Sequence, residues 1–273
     1  MKIYVLGLDK RTAYCAARLK EIFKNSVILC DNDECIFKPE VLVLPYVSFK
    51  KGRCLNLPEC VDSSTILNKM PKGSILFAGM AYDELEKECI DREITLFDYF
   101  KDEELTTKNA HITAEGAIEM IMKNTDKSIR DMQIAITGFG RVAKACAEKL
   151  SCLGAKITVL ARKESARKET LSLGYFSSDI YDSNALAEAD VIINTVPSTV
   201  LDDKMLGSAK CCRYILDLAS SPFGTDFKAA SALGIKAETA PGLPAICAPA
   251  TAGRFIAEFI ASKLSGGEKL CSQ

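Results

Sequence analysis

The sequence predicts an α/β protein built from two doubly wound domains, each a parallel sheet with helices on both faces. Short β-rich runs alternate with amphipathic helical segments in both halves of the chain, an order typical of parallel sheets. The 273 residues also suit two compact domains better than one. We expect an N-terminal domain at 1–123, a polar linker at 124–130 and a second domain at 131–265.

The first half supplies the elements of an N-terminal sheet. A β-rich run at 2–6 ends at a glycine, and apolar residues at helical spacing follow at 11–23. Further strands are predicted at 26–30, 41–44, 74–78 and 94–97, and helices at 64–70, 82–88 and 113–122. The polar segment 45–58 is expected to be a loop. This order predicts a flavodoxin-like or Rossmann-like domain.

The second half repeats the pattern more clearly. A strand at 132–137 leads into a helix at 141–153, which Gly154 ends, and a second strand follows at 156–160. Further strands are predicted at 190–194, 214–218 and 235–238, and helices at 164–173, 203–206 and 227–233. An amphipathic helix at 249–264 is expected to close this domain.

The charge balance excludes several classes of partner. Lys and Arg number 35 against 36 Asp and Glu, a formal net charge of −1, so we expect neither a nucleic-acid partner nor an anionic membrane surface. No apolar run approaches the roughly 20 residues that span a bilayer. The N-terminus reaches Asp9 and Lys10 too early for a signal peptide, and we therefore expect a cytoplasmic protein.

The twelve cysteines are expected to be reduced packing residues. They form no C-x-x-C pair, and His111 is the only histidine, so the spacing of a zinc site is missing. Their scattered positions do not favour a disulfide framework either. We expect no bound metal.

The most informative motif is the segment GFGRVA at 138–143, which follows a predicted strand and opens a predicted helix. Gly138 permits a tight turn, Gly140 allows a pyrophosphate to approach the backbone, and Ala143 allows close packing of helix and strand. The pattern predicts a Rossmann dinucleotide-binding domain, the alternative being an ordinary strand–helix turn without a ligand. The residues expected to contact the dinucleotide here are Gly138, Phe139, Gly140, Arg141 and Val142.

The end of the next strand indicates the kind of dinucleotide. NAD sites usually place an acidic residue here to bind the ribose hydroxyls. Ala161, Arg162 and Lys163 supply no acid but offer two cations suited to a 2′-phosphate, which favours NADP over NAD. The alternative is a solvated basic loop. Arg167, five residues further on, is expected on the exposed face of its helix.

Two later strand exits are expected to border the nicotinamide. Ligands in doubly wound sheets lie beyond the carboxyl ends of the strands. The residues expected there are Thr195, Val196, Pro197, Ala219 and Ser220. They could also be two ordinary turns.

Four segments together resemble one known family. They are TAEGAI at 113–118, GFGRVA at 138–143, ASSPFGTDF at 219–227 and APGLPAICAPATAG at 240–253. With them the chain resembles the dipicolinate synthase A-subunit family of spore-forming Firmicutes over about residues 5–265. The turn GLDKR at 7–11 is similar to the family's G-G-D-x-R, with Leu8 in place of the second glycine. Where the family has PGLPGKVAP-K-TAG, this chain has Ala245–Ile246–Cys247 and Ala250, so both lysines of the family motif are absent.

The resemblance implies an NADP-dependent oxidation of dihydrodipicolinate, or of its hydroxylated precursor, to dipicolinate in the mother cell of a sporulating bacterium. It also implies that the partner is a separate, flavoprotein-like B subunit, and a homo-oligomer is left open. The reaction removes a hydride and a proton, and the aromatic product makes it downhill.

Three residues are candidates for the proton transfer. Glu115 lies in a segment that in two-domain dehydrogenases faces the cleft, or it is an acid favouring a helix N-terminus. His111 has a suitable intrinsic pKa, but a single histidine in a loop is more often structural than catalytic. Ser220 could bond a carboxylate or cap a turn.

The dicarboxylate is expected to meet Arg11, a bidentate donor after the first strand, and backbone amides around Thr251–Ala252–Gly253. The residues predicted to bind substrate are Asp9, Arg11, Thr113, Pro241, Gly242 and Thr251. Two other functions stay open at this point. One is a different two-domain dehydrogenase acting on a hydroxy or amino acid, and the other is a subunit that binds dinucleotide without catalysing the reaction.

Overall fold

The structure is a computed structural model that describes residues 1–50, 53–54 and 61–268. Its strands are β1 (Ile3–Leu6), β2 (Val27–Cys30), β3 (Val41–Val43), β4 (Phe49–Lys50), β5 (Arg53–Cys54), β6 (Ile75–Ala78), β7 (Thr95–Asp98), β8 (Gln133–Thr137), β9 (Lys156–Leu160), β10 (Phe176–Ser178), β11 (Val191–Asn194), β12 (Tyr214–Asp217) and β13 (Lys236–Thr239). Its α-helices are α1 (Lys10–Phe23), α2 (Ser63–Asn68), α3 (Asp83–Asp91), α4 (Glu103–Asn124), α5 (Arg141–Cys152), α6 (Glu164–Ser172), α7 (Asp203–Ser208), α8 (Phe227–Ala232), α9 (Leu243–Cys247) and α10 (Pro249–Glu268).

The chain folds into two compact units, and each contains a parallel sheet. The first unit comprises the described residues of 1–109 together with α10, and its sheet has the order β2-β1-β3-β6-β7. All neighbouring strands in it are parallel. Renumbered within the unit this order is 2-1-3-4-5, the order of flavodoxin-like folds.

The second unit, Ala110–Cys247, contains the larger sheet. Its order is β10-β9-β8-β11-β12-β13, again with parallel neighbours. Within the unit this is 3-2-1-4-5-6, the order of Rossmann dinucleotide-binding domains. The predicted fold class of two doubly wound α/β domains is confirmed.

Several elements differ from those expected from the sequence. The edge strand β10 was not predicted, because three residues with two serines and an exposed phenylalanine give no apolar run. Helix α4 begins ten residues before the predicted 113, so His111 lies within a helix and not in a loop. In the expected loop 45–58, β4 and β5 form a small antiparallel hairpin, and positions 51–52 and 55–58 lie outside the described residues.

The division into units also differs from the expected boundaries at 123 and 131. Leu105 belongs to the core of the first unit, whereas α4 from Ala110 onward packs in the core of the second, so the chain changes unit within one helix. The expected linker 124–130 is packed onto the second unit: Ile129 is buried there, and Lys127 Nζ pairs with Asp190 at 2.8 Å. A short polar segment can therefore have the composition of a linker although a few contacts fix it to a folded domain.

Helix α10 lies in the first unit and not in the second, where the sequence placed it. Its apolar face, Ile256, Ala257, Ile260 and Leu264, shares a core with Cys15, Ala16 and Leu19 of α1. The two helices come close at Gly253, where a Cβ would lie 2.5 Å from the Arg11 carbonyl oxygen and 2.7 Å from Tyr14 Cβ. Amphipathic periodicity predicts that a helix packs, but not on which unit.

The cysteines of the described part are free thiols. Burial raises the pKa of the Cys146 and Cys212 thiols to about 12, so both are neutral at physiological pH. The side chains of Cys54, Cys60 and Cys271 lie outside the described residues. In the ranges that the structure covers, no helix combines the length and apolarity needed to cross a membrane, and no group of three or more His, Cys, Asp or Glu could hold a metal ion.

Candidate dinucleotide-binding site

The glycine turn at the switch point of the second sheet has the conformation that a diphosphate site needs. Gly138 has φ +86°, and a Cβ there would lie 2.6 Å from Thr195 Oγ1, so only glycine fits. Gly140 is the N-cap of α5, and a Cβ there would meet no atom within 4 Å. A ligand can therefore approach the backbone at Gly140, whereas the backbone at Gly138 packs closely against Thr195.

The N-terminus of α5 provides the electrostatic half of that site. Its N-cap, Gly140, has no side chain that could accept from the first-turn amides, and Ala143 of that turn is fully buried against the sheet. First-turn amides have no intrahelical acceptor and lie at the positive end of the helix dipole. A helix that begins in this way binds phosphate through backbone N–H groups.

A cavity of about 420 Å³ lies beside this turn. It is lined by Gly138, Phe139, Ala161, Arg162, Lys163, Ala166, Ile180, Tyr181, Val196, Pro197, Ser198 and Val200. Seven of the predicted cofactor residues are thus brought together, while Gly140, Arg141 and Val142 form the adjoining start of α5. Sequence reasoning missed Ile180 and Tyr181, because they follow the unpredicted strand β10.

The rim of this cavity carries positive charge. Arg162 and Lys163 are both exposed, and neither forms an ion pair with another described residue. The neighbouring acid, Glu164, is paired with Lys168 of its own helix at 2.8 Å. The cavity therefore offers two cations to an anionic group on a ligand.

Arg167 does not lie on the exposed face of α6, where the sequence placed it. Its Nη1 lies 2.8 Å from the Ala161 carbonyl oxygen, 2.9 Å from the Arg162 carbonyl oxygen and 2.9 Å from Asp179 Oδ2. The first turn of α6 starts at Glu164, so a residue at position 167 faces back over the preceding loop.

A buried polar network fixes the strand exits on the other side of the turn. Asn194, fully buried, accepts from Thr137 Oγ1 at 2.6 Å and donates to Asp217 Oδ1 at 2.8 Å. Asp217 also accepts from the backbone N–H groups of Ala219 and Gly224, both at 3.0 Å. One carboxylate thus holds the loop after β12 to the end of β11.

We expect Asp217→Asn to lower the free energy of unfolding by about 2–3 kcal/mol. An amide replaces one of the two acceptor oxygens with an NH₂ group, so at least one of the three buried donors loses its partner. Urea unfolding measures the loss. Asp203→Asn, on an exposed side chain of α7, is the matched control with an expected change below about 0.5 kcal/mol. Equal values for the two variants would contradict this account of the network.

The predicted residues at the strand exits lie at this edge. Thr195 Oγ1 donates to the Thr137 carbonyl oxygen at 2.7 Å. The same hydroxyl occupies the space where a Cβ at position 138 would lie. The Val196 N–H donates to Asn194 Oδ1 at 3.1 Å. Ser220 is exposed in a turn that its carbonyl oxygen closes with Phe223 N–H at 2.9 Å.

In the first unit the predicted substrate residues Asp9 and Arg11 contact one another. They follow β1, at the switch point of that sheet, where Asp9 caps α1 by accepting from Thr12 N–H at 3.0 Å. Arg11 donates through Nε at 3.1 Å and Nη2 at 2.6 Å to Asp9 Oδ2. Its guanidinium is buried and lies 5.5 Å from the centre of the Tyr46 ring. Tyr46, which gave no sequence signal, thus belongs to this cluster.

The backbone amides around Thr251 that were expected to bind an anion include one that already has a hydrogen-bond acceptor in the helix. Helix α10 begins at Pro249, and the Ala252 N–H donates to the Ala248 carbonyl oxygen at 3.0 Å. The expected anion site at Thr251–Ala252–Gly253 is therefore wrong for Ala252, because this N–H already has its helical acceptor. The role of the Thr251 side chain in binding substrate stays a prediction.

The remaining candidates lie in the second unit. Glu115 is exposed in the middle of α4 and pairs with Lys149 of α5 at 3.1 Å, so the alternative role at a helix N-terminus is excluded. His111 and Thr113 are partly buried on the same helix. Pro241 and Gly242 are exposed between β13 and α9. Their functions stay predictions.

Comparison with known proteins places the chain in a family. Residues 105–213 match the family described as D-isomer specific 2-hydroxyacid dehydrogenase, NAD binding domain. The A subunit of dipicolinate synthase from Bacillus subtilis (strain 168) is 33% identical over 271 residues, which cover 96% of this chain and 88% of that protein. The chain belongs to the dipicolinate synthase A-subunit family.

Two crystal structures from this family have the same fold. The A subunit of dipicolinate synthase from Bacillus halodurans has a TM-score of 0.83 and 28% identity, with 97% of each chain covered. Its counterpart in the crystal structure from Bacillus subtilis has a TM-score of 0.82 and 30% identity, covering 97% of this chain and 96% of that one. The resemblance inferred from the motifs is confirmed, and the second unit is an NAD(P)-binding domain of dehydrogenase type.

In two of the family motifs outside the glycine turn, a glycine allows close packing within the second unit. In TAEGAI, a Cβ at Gly116 would lie 3.0 Å from Leu243 Cβ, so this glycine lets α4 approach α9. In ASSPFGTDF, a Cβ at Gly224 would lie 2.4 Å from the Val196 carbonyl oxygen. Ile246 and Ala250, where the resemblance leads one to expect lysines, are both exposed.

Proposed function

We propose that this chain is an NADP-dependent oxidoreductase that forms dipicolinate from dihydrodipicolinate or from its hydroxylated precursor. Family membership supports the substrate, and the cavity beside the glycine turn supports the cofactor. The observation that carries the cofactor choice is the pair Arg162 and Lys163 on the cavity rim, where NAD sites usually have an acid.

The residues present fit a dinucleotide phosphate. Gly138 permits the tight turn, Gly140 leaves the backbone accessible, the start of α5 supplies amides, and Arg162 and Lys163 would hold the 2′-phosphate. When bound, NADP⁺ supplies the two-electron acceptor of the oxidation. Dihydrodipicolinate and NADP⁺ then give dipicolinate, NADPH and one proton. This proton must pass to the protein or to water, and Glu115 and His111 are the proposed acceptors, while Ser220 is proposed to hydrogen-bond a substrate carboxylate.

Substrate binding in the first unit is proposed to rest on Arg11. Asp9 occupies its Nε and Nη2, so Nη1 is the nitrogen that would meet a substrate carboxylate. The Asp9 carboxylate and the Tyr46 ring hold the guanidinium in one orientation. The other proposed contacts to the substrate are Thr113, Pro241, Gly242 and Thr251.

Reversal of one charge on the cavity rim tests the cofactor choice. We expect Arg162→Asp to weaken NADPH binding about 30-fold, about 2 kcal/mol, because an acid would face the 2′-phosphate. Binding of NADH should change less than about threefold. Lys210→Asp is the matched control, since it makes a charge reversal of the same kind at an exposed residue outside the cavity lining. Fluorescence titration of both reduced cofactors measures the effect, and equal affinity of the unmodified protein for the two would overturn the NADP choice.

Activity with and without a partner tests the reaction. We propose that this partner is a dipicolinate synthase B subunit, in the cytoplasm of the mother cell, and a homo-oligomer is compatible with the same site. Purified chain is given NADP⁺ and dihydrodipicolinate, and the absorbance of dipicolinate is followed. Product formed by the chain alone supports catalysis by this protein. Product formed only with the B subunit favours a dinucleotide-binding role, and turnover of hydroxy or amino acids instead favours another dehydrogenase.

A further inference from the structure

Arg167 connects the two loops that form opposite sides of the cavity rim. One loop, 161–163, follows β9 and carries the cations Arg162 and Lys163. The other, 179–181, follows β10 and contributes Ile180 and Tyr181 to the lining. Arg167 contacts two carbonyl oxygens of the first loop and the Asp179 carboxylate of the second.

These contacts occupy one of the two terminal nitrogens of the Arg167 guanidinium. Its Nη1 carries two hydrogens and lies within 2.9 Å of three oxygen acceptors. The Asp179 carboxylate offsets its charge. Arg162 and Lys163 are exposed and line the cavity, whereas Arg167 is partly buried and does not line it, so a phosphate in the cavity would meet these two cations before it meets Arg167.

The backbone contacts restrain the segment of main chain from which those cations project. A hydrogen bond to the Ala161 carbonyl oxygen orients the peptide that ends at Arg162, and one to the Arg162 carbonyl oxygen orients the peptide that ends at Lys163. Fixing two successive peptide planes in the free protein removes backbone freedom that a ligand would otherwise have to order when it binds.

We propose that Arg167 is a positioning residue that orders the 161–163 loop so that Arg162 and Lys163 bind the 2′-phosphate of the cofactor. The proposal rests on the NADP-dependent function proposed above and adds a determinant of cofactor specificity. Arg167 acts through its neighbours and does not itself touch the phosphate. Its removal should therefore weaken ligands that carry the 2′-phosphate much more than ligands that lack it.

The ratio of two affinities separates positioning from general stabilisation. We expect Arg167→Met to weaken NADPH binding about tenfold and NADH binding less than twofold, measured by fluorescence titration. The fragments 2′,5′-ADP and 5′-AMP, titrated calorimetrically, should show the same contrast. Arg167→Lys should recover part of the preference, because an ammonium reaches fewer of the three oxygens than a guanidinium. Lys210→Met, at an exposed residue of the same unit that lies outside the cavity lining, should leave both affinities unchanged.

Each remaining outcome overturns the inference in a recognisable way. If Arg167→Met weakens NADPH and NADH binding equally, the role of Arg167 is purely structural. The same conclusion follows if both Arg167 variants lose affinity in proportion to a decrease in their unfolding midpoint. A preference for NADPH that survives in Arg167→Met overturns the inference and leaves the proposed function standing. Absence of any NADPH preference in the unmodified protein overturns the proposed cofactor choice, and this inference with it.

Discussion

Gly140→Val is expected to weaken dinucleotide binding at least 100-fold, about 2.7 kcal/mol, while the protein still folds. In the free protein a Cβ at this position meets no atom within 4 Å, so a side chain can begin there without a clash, and we expect the protein to fold. It would occupy the space through which a pyrophosphate approaches the start of α5. The loss of a glycine N-cap should cost only about 1 kcal/mol of stability. Titration of NADPH alongside urea unfolding measures both effects.

The controls for this substitution are two other glycines of the second unit. Gly207→Val, in α7, also places its Cβ in open space but away from the turn, so binding should be unchanged. Gly138→Ala should instead destabilise the fold, because φ is +86° and the Cβ would lie 2.6 Å from Thr195 Oγ1. Normal NADPH affinity in Gly140→Val would show that the diphosphate does not lie on this turn.

Gly253→Ala is expected to lower the free energy of unfolding of the first unit by about 3 kcal/mol. Helix propensity alone predicts the opposite sign, a gain of about 1 kcal/mol from glycine to alanine inside a helix. The new methyl group would lie 2.5 Å from the Arg11 carbonyl oxygen and 2.9 Å from the Cys15 nitrogen. Because these are backbone atoms of α1, no side chain can move aside, and α10 must separate from α1.

Gly266→Ala provides the matched control on the same helix. A Cβ at Gly266 meets nothing within 4 Å, so propensity should dominate and stability should rise by roughly 0.5 kcal/mol. Urea unfolding together with hydrogen exchange of the β1 and α1 peptides measures both variants. A stabilised Gly253→Ala protein would contradict the packing of α10 on α1 in this unit.

The sequence allowed much of the binding turn to be predicted, since the signal there is local. Gly138, Gly140 and Ala143 need only their own strand and helix to form the turn, and those neighbours are adjacent in the chain. The same holds for Arg162 and Lys163, which follow directly on β9. The fold class followed from the regular alternation of strands and helices.

Residues that act across the fold gave no such signal. Asp217 has the sequence context of an ordinary strand end, because its partners Asn194 and Gly224 are brought to it only by the pairing of β11 with β12. Arg167 has the sequence context of a surface residue, because Asp179 reaches it only when β10 pairs with β9. Hydrogen bonds between residues distant in the chain depend on strand register, which local patterns do not encode.

By itself the sequence determined two parallel α/β units, the glycine turn with its adjoining cations, and membership of the dipicolinate synthase A-subunit family. The tertiary structure alone decided that α10 packs on α1, that the chain changes unit within α4, and that Arg167 joins the two loops of the cavity rim. The physical reason is the range of the interactions. Turn geometry and helix periodicity arise within a few neighbouring residues, whereas the choice of packing partner depends on which apolar faces and polar groups the completed sheets bring together.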